Sequence, residues 1–249
     1  MIVRLINKVI KPLKLNITSI SSAAPVDIEK DFLEAYQLAK PYTMTSFDRM
    51  YAAYKAAEYV VNAKIEGDIV ECGVWRGGSS MIMALKLTAM KSFDRDLYMY
   101  DTYEGMSEPT KEDVDLSGVH SSERLSKEDK YKGNNVWCYA GLDEVKQNML
   151  KTKYPMDKIK FIKGKVEDTI PGTIPSKISI LRLDTDWYSS TKHEMQHLFP
   201  LLSKNGILII DDYGHWQGSR QAVDEYFKEF GIVPFLHRVD YTGRLYVKL

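Results

Sequence analysis

Four carboxylates stand at the ends of two short apolar runs. Ile178-Ser-Ile-Leu-Arg-Leu183 leads into Asp184 and Asp186, and Gly206-Ile-Leu-Ile-Ile210 leads into Asp211 and Asp212. Continuous Ile/Leu runs of this length, bounded by turn signals, suit strands buried on both faces of a parallel sheet. If the two strands are neighbours, all four acids meet at one C-terminal edge, where open α/β sheets bind their ligands. Acids packed that closely repel unless they are protonated or bridged by a cation. Oxygen-only donors favour magnesium, calcium or manganese over zinc, so the pattern predicts a reaction centre built on a hard divalent ion.

A second pattern follows the first predicted strand, Gly67 to Cys72. In Glu71-Cys-Gly-Val-Trp-Arg-Gly-Gly-Ser-Ser80 the glycines fall at 73, 77 and 78, which departs from G-x-G-x-x-G and makes a wider turn than a pyrophosphate needs. Glu71, directly before the first strand's end, suits a ligand carrying positive charge. Asp101 closes the second strand, Leu97 to Tyr100, where an acid holds ribose hydroxyls in nucleotide-binding sheets. A nucleoside with a cation and no phosphate describes S-adenosylmethionine.

Other residues have two readings each. His193-Glu-Met-Gln-His197 fits H-E-x-x-H, the zinc protease pattern, so a zinc-dependent hydrolase is the alternative function. The pattern lies in a crossover helix between the two acid-tipped strands, and no convincing third ligand follows it. His215 and Trp216 contact the acceptor or pack the loop, and His215 is an alternative base. Trp75 and Arg76 are cofactor neighbours or packing residues. Tyr103, Glu104 and Met106 open a long insertion, where they touch the acceptor or are simply solvated.

The elements that must position these groups alternate β-α-β-α, which predicts a doubly wound, mostly parallel α/β sheet. Helices are expected over 28–40, over 47–62 with Ser46 as N-cap, to about 90, and over 142–151, 190–202 and 219–230. Strands are expected at 159–163, 233–236 and 245–248 in addition to those above. Residues 102–135 are long, polar and charged, an insertion of the size that is a functional lid or a disordered segment. Residues 1–15 form a basic amphipathic pattern that Pro12 stops. Packing on this domain or on another subunit is the preferred reading of that pattern over a membrane surface or a signal peptide. Residues 16–27 read as a linker. The domain organisation is a helical extension or lid over 1–40 and a main domain over 41–249 with the insertion at 102–135.

Composition excludes several classes. Across 249 residues, Lys+Arg and Asp+Glu each number 34, and a zero net charge argues against a nucleic-acid partner held by a basic surface. No apolar stretch reaches membrane-span length. Cys72 and Cys138 form no CxxC, so a reduced cytoplasmic setting is the default.

Several of these stretches together carry a resemblance. Tyr42-Thr-Met-Thr-Ser46, Gly67-Asp-Ile-Val-Glu-Cys-Gly-Val-Trp-Arg-Gly-Gly-Ser79, Asp101-Thr-Tyr-Glu-Gly-Met106, Leu181-Arg-Leu-Asp-Thr-Asp-Trp-Tyr188 and Ile209-Ile-Asp-Asp-Tyr-Gly-His-Trp216 resemble, in order, the macrocin O-methyltransferase family. The resemblance spans 41–230. It implies a Rossmann-like class I methyltransferase that uses S-adenosylmethionine and magnesium to methylate a hydroxyl of a sugar-containing small molecule or glycan. By that resemblance Asp184, Asp211 and Asp212 hold the metal and Asp186 is the general base. The implied cofactor set is Thr45, Ser46, Glu71, Gly73, Trp75, Arg76, Ser79, Asp101, Glu104, Gly141, Glu167, Asp168 and Asp184. A homo-oligomer is possible through the N-terminal segment.

Overall fold

The computed structural model describes residues 26–249, so the amphipathic pattern of 1–15 and nearly all of the linker lie outside the described residues. Five parallel strands form the body of one sheet: β1 (Asp68–Cys72), β2 (Leu97–Asp101), β3 (Ile159–Lys163), β4 (Ile178–Leu183) and β5 (Leu202–Ile210). β6 (His237–Arg238) and β7 (Arg244–Val247) complete it, β7 running antiparallel to β5. The order is β3-β2-β1-β4-β5-β7-β6, so the chain reverses direction across the sheet between β1 and β4. This is the expected doubly wound, Rossmann-like arrangement.

Alternating residues explain why both faces are covered. Ile69, Met99, Ile180, Ile207 and Ile209 face one core, shared with α1 (Lys30–Ala39), α2 (Phe47–Asn62) and α3 (Gly78–Ala89). Val70, Leu181, Leu183, Leu208 and Ile210 face the other, shared with α7 (Tyr188–His197) and α8 (Gln217–Glu229). The remaining helices are α4 (Ser121–Ser126), α5 (Leu142–Leu150) and α6 (Val166–Thr169). Phe32 of α1 is wedged edge-on among Phe47, Tyr51 and Tyr54, so residues 30–39 share the main domain's core. Among the described residues no helix is long and apolar enough to cross a membrane.

Two expected elements differ. The run Val233–Leu236 is not a strand: Val233 and Phe235 are 93% and 82% exposed, and the strand is the two-residue β6 that follows. Hydrophobicity without a partner edge does not make a ladder. The helix expected over 190–202 ends at His197, because Pro200 cannot donate to an α-helical turn; Phe199–Leu201 form a 3-10 turn and β5 starts at Leu202.

The insertion is ordered and docked. Buried Asp113 accepts from the Tyr188 backbone N–H (2.7 Å), the Thr110 N–H (2.6 Å) and the Thr110 hydroxyl (2.8 Å). Trp187 donates its indole N–H to the Ser107 carbonyl (3.0 Å) and packs with Trp216 and Leu125 in a small core of its own. Removing the carboxylate of Asp113 would orphan the Tyr188 N–H at the start of α7, at a cost of about 1–3 kcal/mol. Asp113→Ala is therefore expected to lower stability by that amount and to open 102–135 to limited proteolysis. Unchanged cleavage of this segment would mean that the clamp does not hold the insertion.

Candidate active site

Parallel register sets the site. Leu183 pairs with both Cys72 and Ile210, so Asp184 and Asp211 leave β4 and β5 side by side, next to the turn that leaves β1. A cavity of about 360 Å³ opens there. Gly73, Trp75, Gly78 and Ser79 form one wall, Asp101, Thr102 and the 164–167 turn another, and the paired acids with His215 and Trp216 a third. The insertion contributes Gly105, Met106, Ser107 and Asn135 to the lining, and the residues just after it contribute Val136 and Cys138.

The turn after β1 needs glycine at two places. Gly73 has φ +81°, and a Cβ there would lie 2.0 Å from the Asp184 carbonyl oxygen. At Gly78 a Cβ would meet the Tyr42 carbonyl oxygen at 2.6 Å. Asp101 fixes the turn: its carboxylate accepts from the N–H groups of Val74 (2.7 Å), Trp75 (2.9 Å) and Tyr103 (2.6 Å).

Beneath the acids lies a buried arginine. Arg182, 1% exposed and next to last in β4, reaches Glu71, Asp184 and Asp211, each at 2.6 Å, and the Thr45 hydroxyl at 3.3 Å. Asp211 is also paired with Arg49 of α2, whose Nε lies 3.0 Å from Asp240. The repulsion expected among the four acids is thus relieved partly from within the chain, by guanidinium groups.

Three other oxygens remain. Asp184, Asp186 and Asp212 each offer one carboxylate oxygen, all within 4.8 Å of one another. Asp212 Oδ2 is buried with no hydrogen-bond partner, and so is Nδ1 of His215. Burial raises all three acids: Asp186 is pushed up to about 7, with the Asp184 and Asp211 charges adding and a bond to Asp212 opposing. Asp184 and Asp212 stand well above the usual carboxylate range, burial being the main cause in both. An all-oxygen donor set with an orphaned acceptor fits a hard divalent cation. Burial also holds His215 below its ordinary pKa, so its ring is neutral near pH 7.

The expected site residues divide into two groups. Thr45, Gly73, Trp75, Ser79, Asp101, Glu167, Asp184, Asp186, Asp211, Asp212 and His215 line the cavity. Ser46, Glu71, Arg76, Glu104, Gly141 and Asp168 do not reach its wall. Ser46 caps α2 and donates to Asp240 (2.6 Å), while Arg76 pairs with Glu144 (2.5 Å) and Glu104 with Lys163 (2.7 Å). Gly141 starts α5, and Asp168 is an exposed residue of α6. Glu71 points at Arg182 and Ser80, so its positive partner is an internal guanidinium and not a bound ligand. Asp211, expected as a metal ligand, turns its two oxygens to Arg49 and Arg182.

The H-E-x-x-H helix gives no support to a zinc hydrolase. His193 Nε2 is bonded to the Ile170 carbonyl (2.9 Å), and buried Glu194 accepts from Thr185 (3.0 Å). Among the described residues the acids above are the one metal-competent group. Sequence reasoning missed Arg182, Arg49 and Asp240. A lone arginine inside an apolar strand was the available signal, since such a charge requires buried partners.

Loss of that guanidinium leaves Glu71 buried without a cation and Asp211 with Arg49 alone. Arg182→Leu is expected to cost about 3–5 kcal/mol in denaturant unfolding. Burial already raises the pKa of Glu71, and without Arg182 it rises further, so folding is favoured at pH values low enough to protonate Glu71 and weakens as pH rises. The deficit should therefore shrink on acidification; a deficit that grows at low pH would contradict the role given to Arg182.

The family model described as macrocin-O-methyltransferase (TylF) matches residues 16–248. The 8-demethyl-8-(2,3-dimethoxy-alpha-L-rhamnosyl)-tetracenomycin-C 4'-O-methyltransferase of Streptomyces olivaceus is 34% identical over 202 residues, 81% of this chain and 74% of that protein. The demethyldecarbamoylnovobiocin O-methyltransferase of Streptomyces niveus is 30% identical, covering 82% of this chain and 75% of that protein. The solved structure of the O-methyltransferase NovP superposes with a TM-score of 0.73 at 28% identity, over 83% of this chain and 82% of that one. A match over that length, on a sheet with this order of elements, makes the chain a member of the macrocin-O-methyltransferase (TylF) family and an enzyme of the O-methyltransferase class.

Proposed function

We propose that this enzyme moves the methyl group of S-adenosylmethionine to a hydroxyl of a sugar in a glycosylated acceptor, with a divalent cation, magnesium being the expected one. The observation that carries the reading is that the Asp184, Asp186 and Asp212 oxygens converge in the same cavity as the glycine turn after β1. One of the relatives named above is a methyltransferase whose name specifies a rhamnosyl-bearing small molecule, which supports a sugar acceptor.

Asp184, Asp186 and Asp212 would hold the cation. Asp211, whose two oxygens face Arg49 and Arg182, lines the same cavity and keeps acceptor capacity to join them. When bound, the cation would lower the pKa of the acceptor hydroxyl, and the cofactor would supply an electrophilic methyl. The chain's own work is orientation and proton removal. The wall from Gly73 to Ser79, with Asp101 and Glu167, is positioned to seat the nucleoside. Met106, Val136 and Trp216 shield the reacting atoms from water, and fixed alignment of the two reactants lowers the barrier without further chemistry. Asp186 would take the hydroxyl proton as the methyl is transferred. His215 is the second candidate base, because its buried Nδ1 has no partner and its ring is neutral.

Purified enzyme with labelled cofactor and a panel of glycosides and nucleotide sugars tests this reading. Asp186→Asn is expected to slow transfer about 10²–10⁴-fold, the range a positioned base supplies, and Asp212→Asn to raise the cation concentration needed for turnover, while S-adenosylmethionine still binds both variants by calorimetry. His215→Gln should be far milder if Asp186 is the base. Full turnover in chelator would remove the cation from the reading, and a His215→Gln defect equal to that of Asp186→Asn would move the base.

A further inference from the structure

A second, more open cavity of about 730 Å³ adjoins the first and shares His215, Trp216 and Tyr241 with it. Its wall carries four basic side chains, Arg220, Lys228, Arg238 and Arg244, against two acids, Asp224 and Glu225. Both acids are already engaged. Asp224 accepts from Tyr213 (2.6 Å) and lies 3.4 Å from Arg220, while Glu225 accepts from Tyr188 and Gln221, each at 2.7 Å.

Among the described residues no carboxylate lies within 4.0 Å of Lys228, Arg238 or Arg244. Residues 1–25 contain no Asp or Glu that could supply one. The two arginines are also placed against each other, since Arg238 pairs with Arg244 across the β6–β7 ladder, and like charges directly opposite are destabilising.

Their positions are fixed by uncharged groups. Arg238 Nε donates to the Asp240 carbonyl (2.9 Å), and Arg244 Nη1 donates to the Gly243 carbonyl (2.8 Å). Arg244 and Arg220 both lie against the Tyr213 ring, at 5.3 and 5.7 Å from its centre. Burial and the neighbouring Arg238 charge lower the pKa of Arg244. Guanidinium groups locked in place, crowded together and lacking a counter-charge form a ready anion receptor, and their planar forks match phosphate oxygens.

We propose that this cavity is an acceptor subsite for a phosphoryl group, so that the sugar methylated next door belongs to a glycosyl phosphate, most simply a nucleoside diphosphate sugar. The inference rests on the reading of the first cavity as the place where a sugar hydroxyl is methylated. The shared wall lets one molecule lay its sugar beside Asp186 and its phosphates beside Arg238 and Arg244.

The test is binding, not turnover. Calorimetry in chelator, which keeps cations from bridging phosphate to the acid cluster, compares thymidine 5′-diphosphate, inorganic pyrophosphate and glucuronate. Both phosphates should bind the wild-type protein, more weakly as salt rises, and glucuronate should bind much less well. Arg238→Gln and Arg244→Gln should each weaken phosphate binding at least about tenfold, as loss of a charge-assisted hydrogen bond does. S-adenosylmethionine binding, measured alongside, should be retained. If either variant unfolds, exposed Lys228→Ala provides the same readout with a smaller loss. Absence of phosphate binding to the wild type, or equal affinity in all the variants, overturns the proposal. Tighter binding of glucuronate than of pyrophosphate overturns the phosphoryl assignment. A protein that binds pyrophosphate as expected but methylates no sugar would sink the proposed function while leaving the anion subsite standing.

Discussion

One buried guanidinium holds the site together. Arg182 collects a carboxylate from β1, one from the end of β4 and one from the end of β5, and a charge taken from water in this way is tolerated only when fully paired. Its partners are therefore not free to move independently. Arg182 and Arg49 hold Asp211 at the same cavity edge where oxygens of Asp184, Asp186 and Asp212 converge. Arg49 extends the tie to Asp240, so α2, the parallel strands and the β6–β7 hairpin meet at one charge cluster.

Much of this was legible in the chain itself, and the reason is geometric. Two apolar runs each ending in acids read as central strands buried on both faces, and because the two are neighbours here, parallel register brings the acids together. Ser46 marked the start of α2 because its hydroxyl takes the Arg49 N–H. The partner of each acid was not legible. Glu71 suits a positively charged ligand by its position in the chain, whereas its cation is Arg182, 111 positions later. Local patterns carry no information about which charges pair across a sheet. Val233 and Phe235 misled for a related reason: apolar residues advertise burial, yet these two are exposed and the ladder forms at His237 and Arg238. The anchor of the insertion, Asp113, looks like any acid in a charged segment until the Tyr188 N–H is seen beside it.

Backbone strain gathers around the cavity. Trp75, Cys138 and Asp186 all line it and all have positive φ, at 47°, 47° and 68°. Side-chain-bearing residues in that region cost on the order of 1–3 kcal/mol each and persist only where surroundings impose them. At Asp186 the imposing contacts are the Thr185 to Glu194 hydrogen bond on one side and fully buried Trp187 on the other. The loop that carries the proposed base is thus preset before any ligand arrives.

The docking of the insertion limits how acceptor choice can change. Segment 102–135 lines part of the cavity, so exchanging it between homologues is the obvious route to a new specificity. Yet Leu125 of that segment packs on Trp187 and Trp216, Ser107 takes the Trp187 indole proton, and Asp113 holds the first turn of α7. A transplanted loop lacking those three grips would loosen the residue that follows Asp186. A workable chimera must carry the tryptophan pair and its Asp113 counterpart together with the loop, as one transferable cassette.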